Sequence, residues 1–323
     1  MIDEFGFAIG TETSGSILSP SARCGLAGLR PTFGRVSRYG VMALSWTQDR
    51  LGPICRYAED CAIVMQAIAR PDGRDMSVSD VPFNWDPALD VKTLKVGIIE
   101  ESFSSITNKD AKANADKMLD TLKTLGVANL TPVKVPDFTT NVAALGVESA
   151  AFFDHLQRAG KMEGARGVAR SSAWLTPAVE FLQAQRVRMM MMMKLAEATS
   201  AVDVYIVGAN NTGGTPTPAR GRGTEDGGGR GADGRGGRGG RGGGGGDFGN
   251  QNPTQRHFTM ANLACYPAVN IPNGFAENGQ PTNAVFYGRP FKEMEILALA
   301  KAYQDAAGFH LKQPMRLRTR TSA

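Results

Sequence analysis

Histidine is scarce in these 323 residues, cysteine is sparse and unpaired, and long apolar runs are missing. Each absence removes a class of function. Cys24, Cys55, Cys61 and Cys265 form no CxxC pair and have no histidine nearby, so neither a zinc site nor a disulfide framework is indicated. Free cysteine behaves as a small apolar residue, and all four are expected to be reduced, inert and buried. His155, His257 and His310 lie far apart in the chain, and neither a metal nor a cofactor is expected. No window approaches 18 consecutive apolar residues, and Met1-IDEFGFAIG lacks the basic start and apolar stretch of a signal peptide. The expectation is a cytoplasmic chain without a membrane span. A signal on a longer N-terminus would leave no trace here.

Charge is also less abundant than the formal +5 suggests. Lys312, Arg316, Arg318 and Arg320 lie in a basic tail over 312–323, which leaves the rest of the chain close to neutral. A general nucleic-acid surface is therefore not indicated. The apolar share of 42% is ample for a buried core.

Hydrophobic spacing outlines the elements. Tyr57 to Ala69 has apolar residues at helical spacing, with Glu59 and Asp60 in the first turn, where the helix dipole favours acids. Leu94 to Ile99 and Val202 to Val207 read as short buried strands, and Asn283 to Gly288 as another. Ala111 to Leu125, Ala178 to Glu197 and Glu293 to Ala306 read as helices. Met189 to Met193 fall in the second of these, which is expected to be a buried, gap-filling helix. Thr259 to Gly274 reads as a loop leading into a strand that ends near Pro272. Strands alternating with helices predict an α/β layered fold.

Between Gly221 and Gly249 more than half the residues are glycine, interleaved with arginine. Such a composition cannot bury a core, and 219–253 is expected to be a disordered insertion. The Arg235-GGRGGR-Gly242 run resembles single-stranded nucleic-acid segments. Glu225, Asp226, Asp233 and Asp247 nearly cancel its arginines, however, and Phe248 is its sole stacking side chain. A tolerated surface loop is the favoured reading.

Ser14, Gly15 and Ser16 form the chemically suggestive cluster. A reactive serine needs a sharp turn, converging backbone N–H groups and a base, and the small residues here suit the first two. A short helix beginning at Ile17 would point further free N–H groups at the site. Taken alone, Ser-Gly-Ser is equally at home in a plain turn, and it matches neither G-x-S-x-G nor S-x-x-K.

The longer context narrows the choice. Gly10-TETSGSIL-Leu18 is followed by Pro20, Cys24-Gly25, Gly28-LRP-Thr32, Gly34-RV-Ser37, Asp49-RLG-Pro53 and Arg56-YAE-Asp60. In this order the elements resemble the amidase signature family, whose core reads G-T-D-x-G-G-S-I-R. Fainter similarity continues to Phe291 and leaves out the Gly/Arg insertion and the tail. The resemblance implies one amidase-like domain over 1–323, lacking its N-terminal part, with a mixed β-sheet sandwiched between layers of α-helices. It implies a hydrolase of carbon-nitrogen amide bonds in which Ser16 attacks and forms an acyl-enzyme, with an oxyanion hole from the N–H groups of Thr13, Ser14, Gly15 and Ser16. The partners implied are a small-molecule amide, and either a second copy of the chain or a partner protein of an amidotransferase.

Three departures from the family pattern follow from the same comparison. The family's second serine and its lysine would fall before Met1, so the chain as given is expected to be inactive or feeble; loss of such activating groups costs about three to six orders of magnitude in rate. Glu12 and Leu18 stand in place of Asp and Arg, so a charge pair beside the nucleophile is expected to be missing, which favours a general amidase over the glutamine-hydrolysing component of a tRNA-dependent amidotransferase. The remaining alternative is a non-catalytic homologue that binds a partner. Ser14 replaces a glycine, which is tolerable only with ordinary backbone angles.

Overall fold

Apolar residues two apart on the central strands feed two separate cores, which places this sheet between two layers. The computed structural model describes residues 6–138, 143–162, 171–209 and 253–312. Its strands are β1 (Phe7–Glu12), β2 (Ala27–Arg30), β3 (Arg50–Cys55), β4 (Val96–Ile98), β5 (Thr131–Pro132), β6 (Val204–Gly208), β7 (Ala268–Phe275) and β8 (Pro281–Gly288). They form one eight-stranded mixed sheet in the order β1-β3-β2-β7-β8-β6-β4-β5. β4 runs parallel to β5 and β6, and the other neighbours are antiparallel.

Val204 and Ile206, Val269 and Ile271, and Ala284 and Phe286 face one core. Against them pack α2 (Ala58–Ile68), α4 (Lys109–Thr124) and α9 (Glu293–Ala307). Tyr205, Val207, Ala268 and Tyr287 face the other core, under α1 (Leu18–Cys24), α7 (Ala178–Ala198) and α8 (Pro253–Leu263). The short helices α3 (Glu100–Ser104), α5 (Val147–Phe152) and α6 (Asp154–Arg158) complete the described α-helices. The α/β layered architecture is as expected. No helix among the described residues is long and apolar enough to cross a membrane.

Several expectations need correction. Thr259 to Leu263 is the end of helix α8, not loop. Its stop is hidden in the sequence because the left-handed residue after it is Cys265, at φ 59°, rather than a glycine. The methionine helix forms, but its inward stripe is Ala184, Arg188, Met191 and Leu195, so of the five methionines Met191 alone is buried. Consecutive residues point around a helix, and the other four therefore meet solvent. Cys24 is exposed, whereas Cys55, Cys61 and Cys265 are buried as expected. Residues 219–252 of the Gly/Arg insertion and 313–323 of the tail lie outside the described residues, and Pro253 opens α8.

Candidate active site

The segment from Thr13 to Leu18 leaves the end of edge strand β1 and turns into α1. Gly15 makes that turn possible: its φ is +90°, and a Cβ there would lie 2.9 Å from Cζ of Phe258 on α8. The left-handed angle falls on this glycine and not on Ser14, so the serine in place of glycine is accommodated without strain. Ser16 is exposed.

Two acids and two arginines anchor the turn from below. Asp49 Oδ1 accepts from Thr13 Oγ1 at 2.6 Å, while its Oδ2 accepts from the N–H groups of Leu44 and Ser45. Arg50 Nη2 donates to the Thr13 carbonyl at 3.0 Å. Burial, with Arg30 nearby, pulls Arg50 down to about 10, which still leaves it charged at neutral pH. Gly52 follows because a side chain there would collide with the Leu29 carbonyl, 2.0 Å from its Cβ position, in the neighbouring strand. The Asp-x-x-Gly-Pro element of the sequence is thus a support for the turn.

Glu12 is fully buried and performs three tasks. Its Oε2 accepts from the N–H groups of Ile17 at 2.8 Å and Leu18 at 3.0 Å, and its Oε1 meets Arg30 Nη1 at 3.1 Å. Burial alone would raise its carboxyl, but the charges of Arg30 and Arg50 and the two N–H groups outweigh that and hold it below the ordinary 4.5. Two expectations change here. The charge pair beside the turn is present, with Arg30 as the cation, and Leu18 in the arginine position is buried apolar surface. The first N–H groups of α1 are occupied by Glu12 and do not face the site.

Ser14, Gly15 and Ser16 keep backbone N–H groups that have no acceptor among the described residues. No described side chain hydrogen-bonds the Ser16 hydroxyl. Three adjacent free donors beside a free hydroxyl are the polar feature of this turn that the supports do not consume.

A cavity of about 410 Å³ adjoins the turn at Gly15, Leu18 and Ser19. Its buried floor is His257, Asn270, Asn283 and Tyr287. In the sequence His257 is remote from the turn, and Asn270 and Asn283 sit within apolar strand segments that carry no motif. What could have marked the asparagines is their spacing from the apolar strand residues: Asn283, Val285 and Tyr287 share one face of β8, and Asn270 lies opposite Val285 on β7. His257 Nε2 lies 3.0 Å from the Tyr205 hydroxyl, and burial, with Arg30 nearby, lowers its pKa to about 3. His155 and His310 are not among the lining residues. No group of metal-ligating side chains occurs among the described residues.

Comparison with known proteins agrees with this architecture. The Amidase family model matches residues 2–220. The A-subunit of glutamyl-tRNA(Gln) amidotransferase from Geobacter metallireducens is 30% identical over 345 residues, covering 94% of this chain and 64% of the relative. That of Acinetobacter baumannii is 28% identical over 348 residues, covering 95% and 64%. The chain thus spans about 64% of the length of these curated relatives. Among solved structures, 6-aminohexanoate cyclic dimer hydrolase superposes with a TM-score of 0.72 at 16% identity, covering 97% of this chain and 66% of that one. The corresponding A-subunit from Thermotoga maritima gives 0.64 at 24% identity, covering 93% and 62%. At such identities the structural matches speak for the fold. The charged supports of the turn, the layered sheet and the family match together place this chain in the amidase family.

Proposed function

We propose that the chain carries the nucleophilic half of an amide-hydrolysing site, with Ser16 as the attacking residue. The observation that carries this reading is the turn itself, where an exposed hydroxyl stands beside three backbone donors that have no acceptor among the described residues. Ser16 Oγ attacks the amide carbonyl carbon, and the N–H groups of Ser14, Gly15 and Ser16 stabilise the oxyanion, with Thr13 anchoring the turn and available as a further donor. Collapse expels the amine, which takes up a proton, and leaves an ester on Ser16. Water then releases the acid. The Ser16 proton needs an acceptor, and no described side chain is hydrogen-bonded to that hydroxyl, so amide turnover is expected to be slow relative to acylation by an activated ester.

A second reading is favoured by the names of the relatives. In it the same chemistry hydrolyses glutamine and delivers ammonia to a partner protein. Both readings place 1–323 in one catalytic unit, with 219–253 as an insertion. Intact-mass analysis after treatment with a fluorophosphonate tests the shared step. One adduct that disappears in Ser16→Ala is expected, and labelling that survives that substitution would sink the assignment.

A further inference from the structure

The cavity beside the turn has a chemical character that selects between substrates. Its mouth carries exposed Ser19 and Gln255, its walls include Leu18, Phe258 and Val285, and its floor is the buried quartet of His257, Asn270, Asn283 and Tyr287. Among the described residues no Asp, Glu, Lys or Arg lines it. A buried cation, Arg30, lies 5.5 Å from the Tyr287 ring centre, and its nitrogens are hydrogen-bonded to Glu12, Asn262 and the Tyr266 carbonyl. Four of its five N–H groups are thereby taken.

The floor nevertheless holds unmet hydrogen-bonding capacity. Asn283 donates from Nδ2 to Asn270 Oδ1, and Asn270 donates in turn from Nδ2 to the Leu26 carbonyl. That chain of donors fixes the Asn283 amide so that Oδ1 is its unused atom, a buried acceptor without a partner among the described residues. His257 Nδ1 is buried and unpartnered too, and its ring is neutral at ordinary pH. Unpaired buried polar atoms are unfavourable, and a ligand that satisfies them gains the difference.

On the reading of Ser16 as nucleophile, we infer that this cavity accepts an uncharged amide, with a ligand N–H on Asn283 Oδ1 and an apolar chain along Leu18, Phe258 and Val285, and that it excludes free glutamine. Glutamine would bring an α-ammonium and an α-carboxylate into a pocket with no charged lining side chain among the described residues, which costs far more than one hydrogen bond returns. The volume of about 410 Å³ is within the range of small-molecule sites.

Titration calorimetry on the full chain carrying Ser16→Ala, with hexanamide and with glutamine, tests this without interference from turnover. Hexanamide is expected to bind at least tenfold more tightly than glutamine. Asn283→Leu is expected to weaken hexanamide about three- to tenfold, the value of one neutral hydrogen bond. Ser19→Trp, a change at an exposed position on the mouth, is expected to weaken it at least tenfold with an unchanged circular dichroism spectrum. A preference below tenfold, no hexanamide binding, or binding undiminished by Ser19→Trp would overturn the inference. Acylation is read separately in the protein that retains Ser16. Its loss with the hexanamide preference intact would remove the nucleophile assignment alone, whereas acylation without the preference would remove the cavity assignment alone.

Discussion

At the scale of single residues, Gly15, Glu12 and His257 make distinct contributions. Gly15→Ala forces a side chain into a left-handed angle and against the tip of the Phe258 ring, and is expected to cost about 1–3 kcal/mol of stability in urea denaturation. Adding Phe258→Leu should recover only the steric part. Glu12→Gln leaves Arg30 buried without its counter-charge, and a loss of about 3–5 kcal/mol at pH 7 is expected. Because the folded Glu12 carboxyl lies below its ordinary value, its stabilisation is present above about 4.5 and is lost as pH falls through the folded value. His257 acts in the same direction over a higher window. Its folded pKa of about 3 lies below 6.5, so the unfolded chain binds the extra proton, and stability should fall by roughly 1.4 kcal/mol per pH unit between those values. Denaturation curves from pH 7 to 4 should therefore flatten in His257→Asn. Glu12 is visible in the sequence as a departure from the family pattern, but its partner is not, since Arg30 is 18 residues away and reaches it because β1 and β2 pair with opposite sides of β3.

At the scale of elements, local periodicity served well wherever an element is long and one-sided. The helix expected over Tyr57 to Ala69 is α2, and the strand expected over Asn283 to Gly288 lies within β8. It failed where tertiary contacts decide. β1, β2 and β3 drew no strand reading because they are rich in glycine and polar residues, and their sheet geometry comes from pairing with one another. Arg35 and Glu293 give another example. The carboxylate of Glu293, at the start of α9, binds Arg35 Nη2 at 2.8 Å and the Thr32 N–H at 2.8 Å, tying the Gly28-LRP-Thr32 segment to the far end of the chain. Glu293→Ala should therefore destabilise the protein by about 3–5 kcal/mol, measured as a shift in the denaturation midpoint, although it is distant in sequence from the turn. Much of what looked like a catalytic signature is buried scaffolding for Ser16.

At the scale of the whole molecule, one mixed sheet divides two cores, and the candidate site opens on the core side that carries α1 and α8. The α/β class was legible because several strands and helices alternate clearly, whereas the order of the strands depends on contacts that no local pattern carries. Deleting Gly221 to Gly249, a stretch rich in glycine and arginine, is expected to leave the thermal midpoint within a few degrees of the parent; a large drop would show that those residues support the fold. The nucleophile assignment is tested most directly with an activated acyl donor, which lowers the demand for a base. After incubation with p-nitrophenyl butyrate at pH 9, peptide mapping is expected to find one butyryl group on the peptide containing Ser16 and none in Ser16→Ala. An unlabelled Ser16, or a butyryl group that persists in the variant, would contradict the account.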